Sequence, residues 1–83
     1  MNGKILVMVY VPMIEEEYDI YIPVIKKVGT IKNLILKMVE ENNDAFVDDG
    51  CKYLYDKVSG ERIDEQQYIK YSVIKNGSKL VLY

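Results

Sequence analysis

Ile74-Lys75-Asn76-Gly77-Ser78-Lys79-Leu80-Val81-Leu82-Tyr83 is the stretch on which the fold turns: a tight turn feeding a short apolar strand. Asn-Gly is a strong turn pair because both residues tolerate a left-handed backbone. No charge falls between Leu80 and Tyr83, which suits a strand at the centre of a sheet. A strand made last must insert beside strands made earlier. The sequence ends on that strand, which we read as leaving no tail for attachment to another molecule.

The natural neighbour is the first strand. Residues 4–11, Lys-Ile-Leu-Val-Met-Val-Tyr-Val, are rich in β-branched side chains and carry no charge after Lys4. Pro12 ends their pairing and a turn around residues 13–16 follows. Tyr18-Asp19-Ile20-Tyr21-Ile22 then alternates with period two, with Tyr18, Ile20 and Ile22 on one face and Asp19 and Tyr21 on the other. Pro23 has no amide hydrogen for a ladder, so this strand belongs at a sheet edge.

Gly29-Thr30 reads as a helix start, with the Thr30 hydroxyl as cap of the first free amides. Ile31, Leu34, Ile35, Met38 and Val39 form one apolar stripe, with Lys32, Asn33, Lys37, Glu40 and Glu41 opposite. Asn42-Asn43-Asp44 ends the helix, and residues 45–50 read as a polar loop. A strand at 52–56, a turn through Lys57-Val58-Ser59-Gly60 and a short return strand at 61–64 make a hairpin. Residues 65–72 have no clean period and suit a single helical turn.

Strand, strand, helix, strand, short strand and closing strand resemble the ubiquitin-like β-grasp. Thr30-Ile31 at the helix start, Leu54 and Ile63 flanking the hairpin, and Ile74 six residues before Leu80 carry the resemblance over nearly the whole chain. It implies an α+β fold: a mixed four- to five-stranded sheet, first and last strands adjacent at its centre, one amphipathic helix across one face. The segment Ile22-Pro23-Val24-Ile25-Lys26-Lys27-Val28-Gly29-Thr30-Ile31-Lys32-Asn33-Leu34-Ile35 is similar to the YukD (EsaB-like) proteins, small ubiquitin-like proteins of Gram-positive bacteria associated with type VII secretion. That resemblance implies a cytoplasmic accessory of the secretion machinery, with a membrane component of it as partner.

Size and composition bound the rest. A chain of 83 residues makes one domain, 1–83, with a single core. A net charge of -2 offers no basic footprint, so nucleic acid is not an expected partner. The apolar run from Ile5 to Val11 is too short to cross a bilayer, and Glu15-Glu16-Glu17 follows it where a signal peptide needs small residues. Membrane insertion is not expected. With one cysteine there is no internal disulfide, and Cys51 suits a small, partly buried residue at a strand start.

The chain has no histidine, which removes the commonest general base and metal ligand and any partner for Cys51 in catalysis. Neither Glu15–Glu17 nor the group Asp44, Asp48 and Asp49 has the spacing of a calcium loop. We therefore expect no enzyme activity, no metal and no cofactor. Conjugated modifiers and sulfur carriers of the β-grasp family use a diglycine tail, and this sequence contains no diglycine.

Binding is what remains, and the eight tyrosines point to where. Tyrosine joins a large contact area to a hydroxyl that tolerates water. If Leu54, Leu80 and Leu82 face the helix, alternation turns Tyr53, Tyr55, Val81 and Tyr83 to the opposite face. With Ile20 and Ile22 inward, Tyr21 also turns outward. With Ile5, Val7, Val9 and Val11 under the helix, Leu6, Met8 and Tyr10 lie outside. Tyr10, Tyr21, Tyr53, Tyr55, Val81 and Tyr83 are the expected protein-binding residues, for a partner or a second copy. A generic interaction module unconnected with secretion fits the same face, and so does a solvated sheet in which tyrosine merely favours strands.

Overall fold

The computed structural model describes residues 3–83. Its elements are β1 (Lys4–Val11), β2 (Glu16–Pro23), α1 (Val28–Asn42), β3 (Leu54–Asp56), a 3-10 turn (Ile69–Tyr71) and β4 (Lys79–Leu82). The four strands lie in the order β2-β1-β4-β3. β1 runs antiparallel to β2 and parallel to β4, and β3 runs antiparallel to β4. The first and last strands thus meet at the centre, and α1 packs across one face.

Alternation decides which face. Val7, Val9 and Val11 are completely buried, with Ile5 packed partly against them. Ile22, Leu54, Leu80 and Leu82 are buried, while Tyr18 and Ile20 cover the core's margin. The turn before β4 closes as its sequence requires: Gly77 takes φ +86, and the Asn76 side-chain oxygen accepts the Leu6 amide at 2.8 Å.

The helix departs from its sequence signals at the start. It begins at Val28, its N-cap is Lys27, and no side chain caps it; Thr30 lies inside the first turn and is exposed. Backbone from elsewhere does the capping. Val28 and Gly29 donate their amides to the carbonyls of Gln67 at 2.8 Å and Glu65 at 3.0 Å. Free first-turn amides need any acceptor, and a neighbouring segment supplies it before a hydroxyl can. Gly29 permits the approach: a Cβ there would stand 3.2 Å from the Glu65 carbonyl oxygen. The irregular residues 65–72 therefore brace the helix start, with Ile69 and Lys70 donating to the carbonyls of Lys26 and Val24.

The buried stripe of α1 is Val28, Ile31, Ile35, Leu36 and Val39. Leu34 is not part of it and is 57% exposed. Phe46, in the supposed polar loop, is buried in the core. β3 is shorter than 52–56, beginning at Leu54, so Cys51 sits exposed in the preceding loop rather than partly buried at a strand start. The return strand at 61–64 contracts to one bridge between Tyr55 and Arg62.

Candidate protein-binding face

The sheet face turned away from α1 carries a row that crosses three strands. Tyr10 on β1 lies beside Val81 on β4, and Val81 lies beside Tyr55 on β3. Such cross-strand neighbours on one face are within side-chain reach of each other. The Tyr55 and Tyr83 rings meet edge to face, with centroids 6.4 Å apart at 66°. Tyr83 is 68% exposed, whereas Tyr10, Tyr55 and Val81 are half-buried.

Tyr53 joins the row at its rim. It and Tyr83 exchange two backbone hydrogen bonds of 2.9 Å. Its ring is flanked by the Arg62 guanidinium, 4.3 Å from the ring centre, and by Lys32 Nζ of the helix at 5.2 Å. Lys32 also pairs with Glu65 Oε2 at 3.0 Å, so this helix lysine, placed on the outer side by its sequence position, is largely covered. Contact with a helix residue puts Tyr53 where the two layers meet, not in the middle of the open face.

Tyr21 is exposed at the far corner. It pairs with Leu6, and the half-buried Leu6 and Met8 link it to Tyr10, while Asp19 and Glu17 separate the two along the β2 side. Lysines border the other side: Lys79 lies beside Met8, and Lys57 Nζ stands 5.9 Å from the Tyr10 ring centre. The structure thus brings Tyr10, Val81, Tyr55, Tyr83 and Tyr53 together and leaves Tyr21 as an outlier. Sequence parity missed Leu6 and Met8 as the connection, although it placed both outside.

A continuous row of aromatic and apolar side chains suits a macromolecular contact. A polar cleft of about 350 Å³ lies elsewhere, lined by Asp56, Ser59, Arg62 and Asp64 among others. Among the described residues, no group of three or more Cys, Asp or Glu is placed to hold a metal ion. The Asp49 carboxyl is held below its ordinary value of 3.8, first by the Cys51 amide and then by Lys52. That carboxyl is in the loop before β3 and its partners are local, so it organises the loop rather than the face.

No protein-family model and no curated protein sequence matches the chain. Solved structures do. The chain is similar to ubiquitin from Caldiarchaeum subterraneum at 12% identity and a TM-score of 0.75, covering 96% of this chain and 91% of that one. It is similar to an N-terminal ubiquitin-like domain solved in solution, at 17% identity and a TM-score of 0.75, over 100% of this chain and 76% of that one. A chain of an ESX-5 inner membrane complex matches at 16% identity and a TM-score of 0.78. That match covers 98% of this chain but only 21% of the other. At these identities the likeness concerns the fold, which is ubiquitin-like.

Proposed function

We propose that this ubiquitin-like protein is a non-catalytic adaptor that binds a protein partner through the Tyr10–Val81–Tyr55–Tyr83 row, with Tyr53 and Tyr21 at its margins. The observation that carries the reading is the row itself, continuous across three strands on the face that α1 leaves uncovered. A soluble chain has little reason to align so many aromatic side chains in water unless something covers them. Tyrosine is also among the side chains that dominate binding energy when an interface closes over them.

The partner we assign is a membrane component of a Gram-positive type VII secretion system, with the adaptor a single cytoplasmic domain. Two observations support it: the helix-entry segment similar to YukD proteins, and the ESX-5 inner membrane complex chain among the structural neighbours. Affinity capture from source cells, comparing the native protein with Tyr55→Ala and Tyr83→Ala, tests both parts. The native protein should retain a membrane subunit of the secretion apparatus and both variants should lose it. Retention by both variants removes the face from the reading. Specific capture of a partner unconnected with secretion makes the protein a generic interaction module.

A further inference from the structure

The lysines are not spread evenly over the molecule. Residues 3–4, 24–28 and 66–77 meet at the end where β1 starts and β2 stops. The Val24 amide donates to the Gly3 carbonyl, Lys70 donates to Val24, Ile69 donates to Lys26, and Lys27 bridges Tyr68. The Gly77 amide donates to Leu6 at 2.7 Å, which brings the turn after Lys75 to the same end. Together these segments carry Lys4, Lys26, Lys27, Lys70 and Lys75, all exposed, and none of the chain's 13 acidic residues. A net charge of -2 averages over this end and hides it.

Nothing nearby neutralises it. The ion pairs among the described residues, Lys32–Glu65 and Lys52–Asp49, use none of the five lysines. The acids next to these segments in sequence are engaged, since Glu65 holds Lys32 and Asp64 accepts the Gln66 amide at 2.9 Å. Glu15, Glu16 and Glu17 lie at the other end of β1. The acidic loop after α1 reaches that far end too, where the Val47 amide meets Met13 Sδ at 3.5 Å. The eight residues of β1 hold the two ends about 25 Å apart, more than two screening lengths at ordinary ionic strength.

Apolar side chains stand among these lysines. Ile25 is 63% exposed and Tyr71 73%, and Tyr68 is exposed beside them. Lys70 Nζ stands 5.0 Å from the Tyr71 ring centre, and Lys27 Nζ stands 5.8 Å from that of Tyr68. Each of these ammonium groups therefore sits beside a ring instead of an acid. A lipid surface matches that combination: it offers phosphates to ammonium groups and, just beneath, an interfacial zone that takes tyrosine rings and aliphatic side chains. Nucleic acid or an acidic peptide would engage the lysines but give Ile25 nothing to enter.

We propose that this lysine-rich end docks on a bilayer surface containing anionic phospholipids, with the five lysines against the phosphates and Ile25 and Tyr71 entering the interfacial zone. No segment crosses the bilayer. The same surface repels the acidic far end, which fixes the docking orientation. None of these residues belongs to the tyrosine row, so the inference stands whatever that row binds.

Co-sedimentation with vesicles of phosphatidylcholine, alone or mixed equally with phosphatidylglycerol, tests this. The protein should bind the mixed vesicles at low salt, leave them as salt is raised, and ignore pure phosphatidylcholine. Each lysine at such a surface contributes roughly fivefold in affinity, so Lys26→Gln with Lys70→Gln should weaken binding about 25-fold. Lys37→Gln, on the outer side of α1, should change it less than about twofold. Ile25→Ser should weaken binding severalfold without altering its salt dependence, because it removes apolar contact and no charge. All these side chains are exposed, so the unfolding midpoints should not move. A spin-labelled headgroup should broaden the amide signals of Ile25 and Tyr71 before those of Tyr10 and Tyr55. Equal binding to pure phosphatidylcholine, or none to the mixed vesicles, would overturn the proposal. So would broadening centred on Tyr10 and Tyr55, or a double lysine variant that binds like the native protein. Tighter binding of polyglutamate or an RNA oligonucleotide than of the mixed vesicles, with Ile25→Ser having no effect, would make this end a site for an acidic protein or a nucleic acid and refute the bilayer.

Discussion

Leu54 and Tyr55 are adjacent in sequence and opposite in role, so exchanging each for alanine tests the register of the whole sheet. Leu54 is completely buried beside Leu82, and its carbonyl accepts the Ile63 amide. Removing a fully buried leucine side chain costs about 3 kcal/mol, from lost transfer energy and the cavity left behind. A domain of this length holds roughly 4–12 kcal/mol in total. Since 1 kcal/mol moves Tm by about 4–8 °C at this size, Leu54→Ala should lower Tm by about 12–24 °C. Tyr55→Ala removes a half-buried ring and its edge-to-face contact with Tyr83, worth about 1 kcal/mol, so its Tm should fall by about 4–8 °C. Urea titration of both variants, with the slope unchanged, gives the comparison. Partner binding should show the reverse order: Tyr55→Ala weakens capture about thirtyfold, whereas Leu54→Ala, while folded, binds normally. A Tyr55→Ala loss of stability equal to or larger than that of Leu54→Ala would show that the face described as open is the core.

Three further outcomes follow from local geometry. Thr30→Ala should change stability by less than about 0.5 kcal/mol in urea titration, because no side chain caps α1; a loss near 1 kcal/mol would restore Thr30 as the cap. Ser72→Ala should cost about 1–2 kcal/mol, since the buried Ser72 hydroxyl donates to the Ile69 carbonyl at 2.7 Å and accepts the Ile74 amide at 3.1 Å, leaving that amide unmatched when removed. In an NMR pH titration Asp49 should ionise below 3.8, and Lys52→Ala should raise its midpoint only in part because the Cys51 amide remains. The sign follows from a folded-state value below the unfolded one: Asp49's small contribution to stability is complete above 3.8 and fades as the pH falls through the folded midpoint.

Strand parity was legible in the sequence because it is a property of the backbone itself. Successive side chains on an extended chain point to opposite faces, so burying Val7, Val9, Val11, Leu80 and Leu82 places Leu6, Met8, Tyr10, Val81 and Tyr83 outside without further information. The Asn76-Gly77 turn and the edge position of β2, signalled by Pro23, are local in the same sense. What depended on distant segments was decided only by the tertiary structure. Helix amides donate to any carbonyl that reaches them, so Glu65 and Gln67 replaced Thr30 as the cap. A 100° step per residue leaves the flanks of an apolar stripe undetermined, and the position of α1 over the sheet buried Leu36 while leaving Leu34 exposed. Lys32 and Tyr53, more than twenty positions apart in sequence, meet only because the helix and β3 share a rim, and no periodicity in a single segment encodes such a contact.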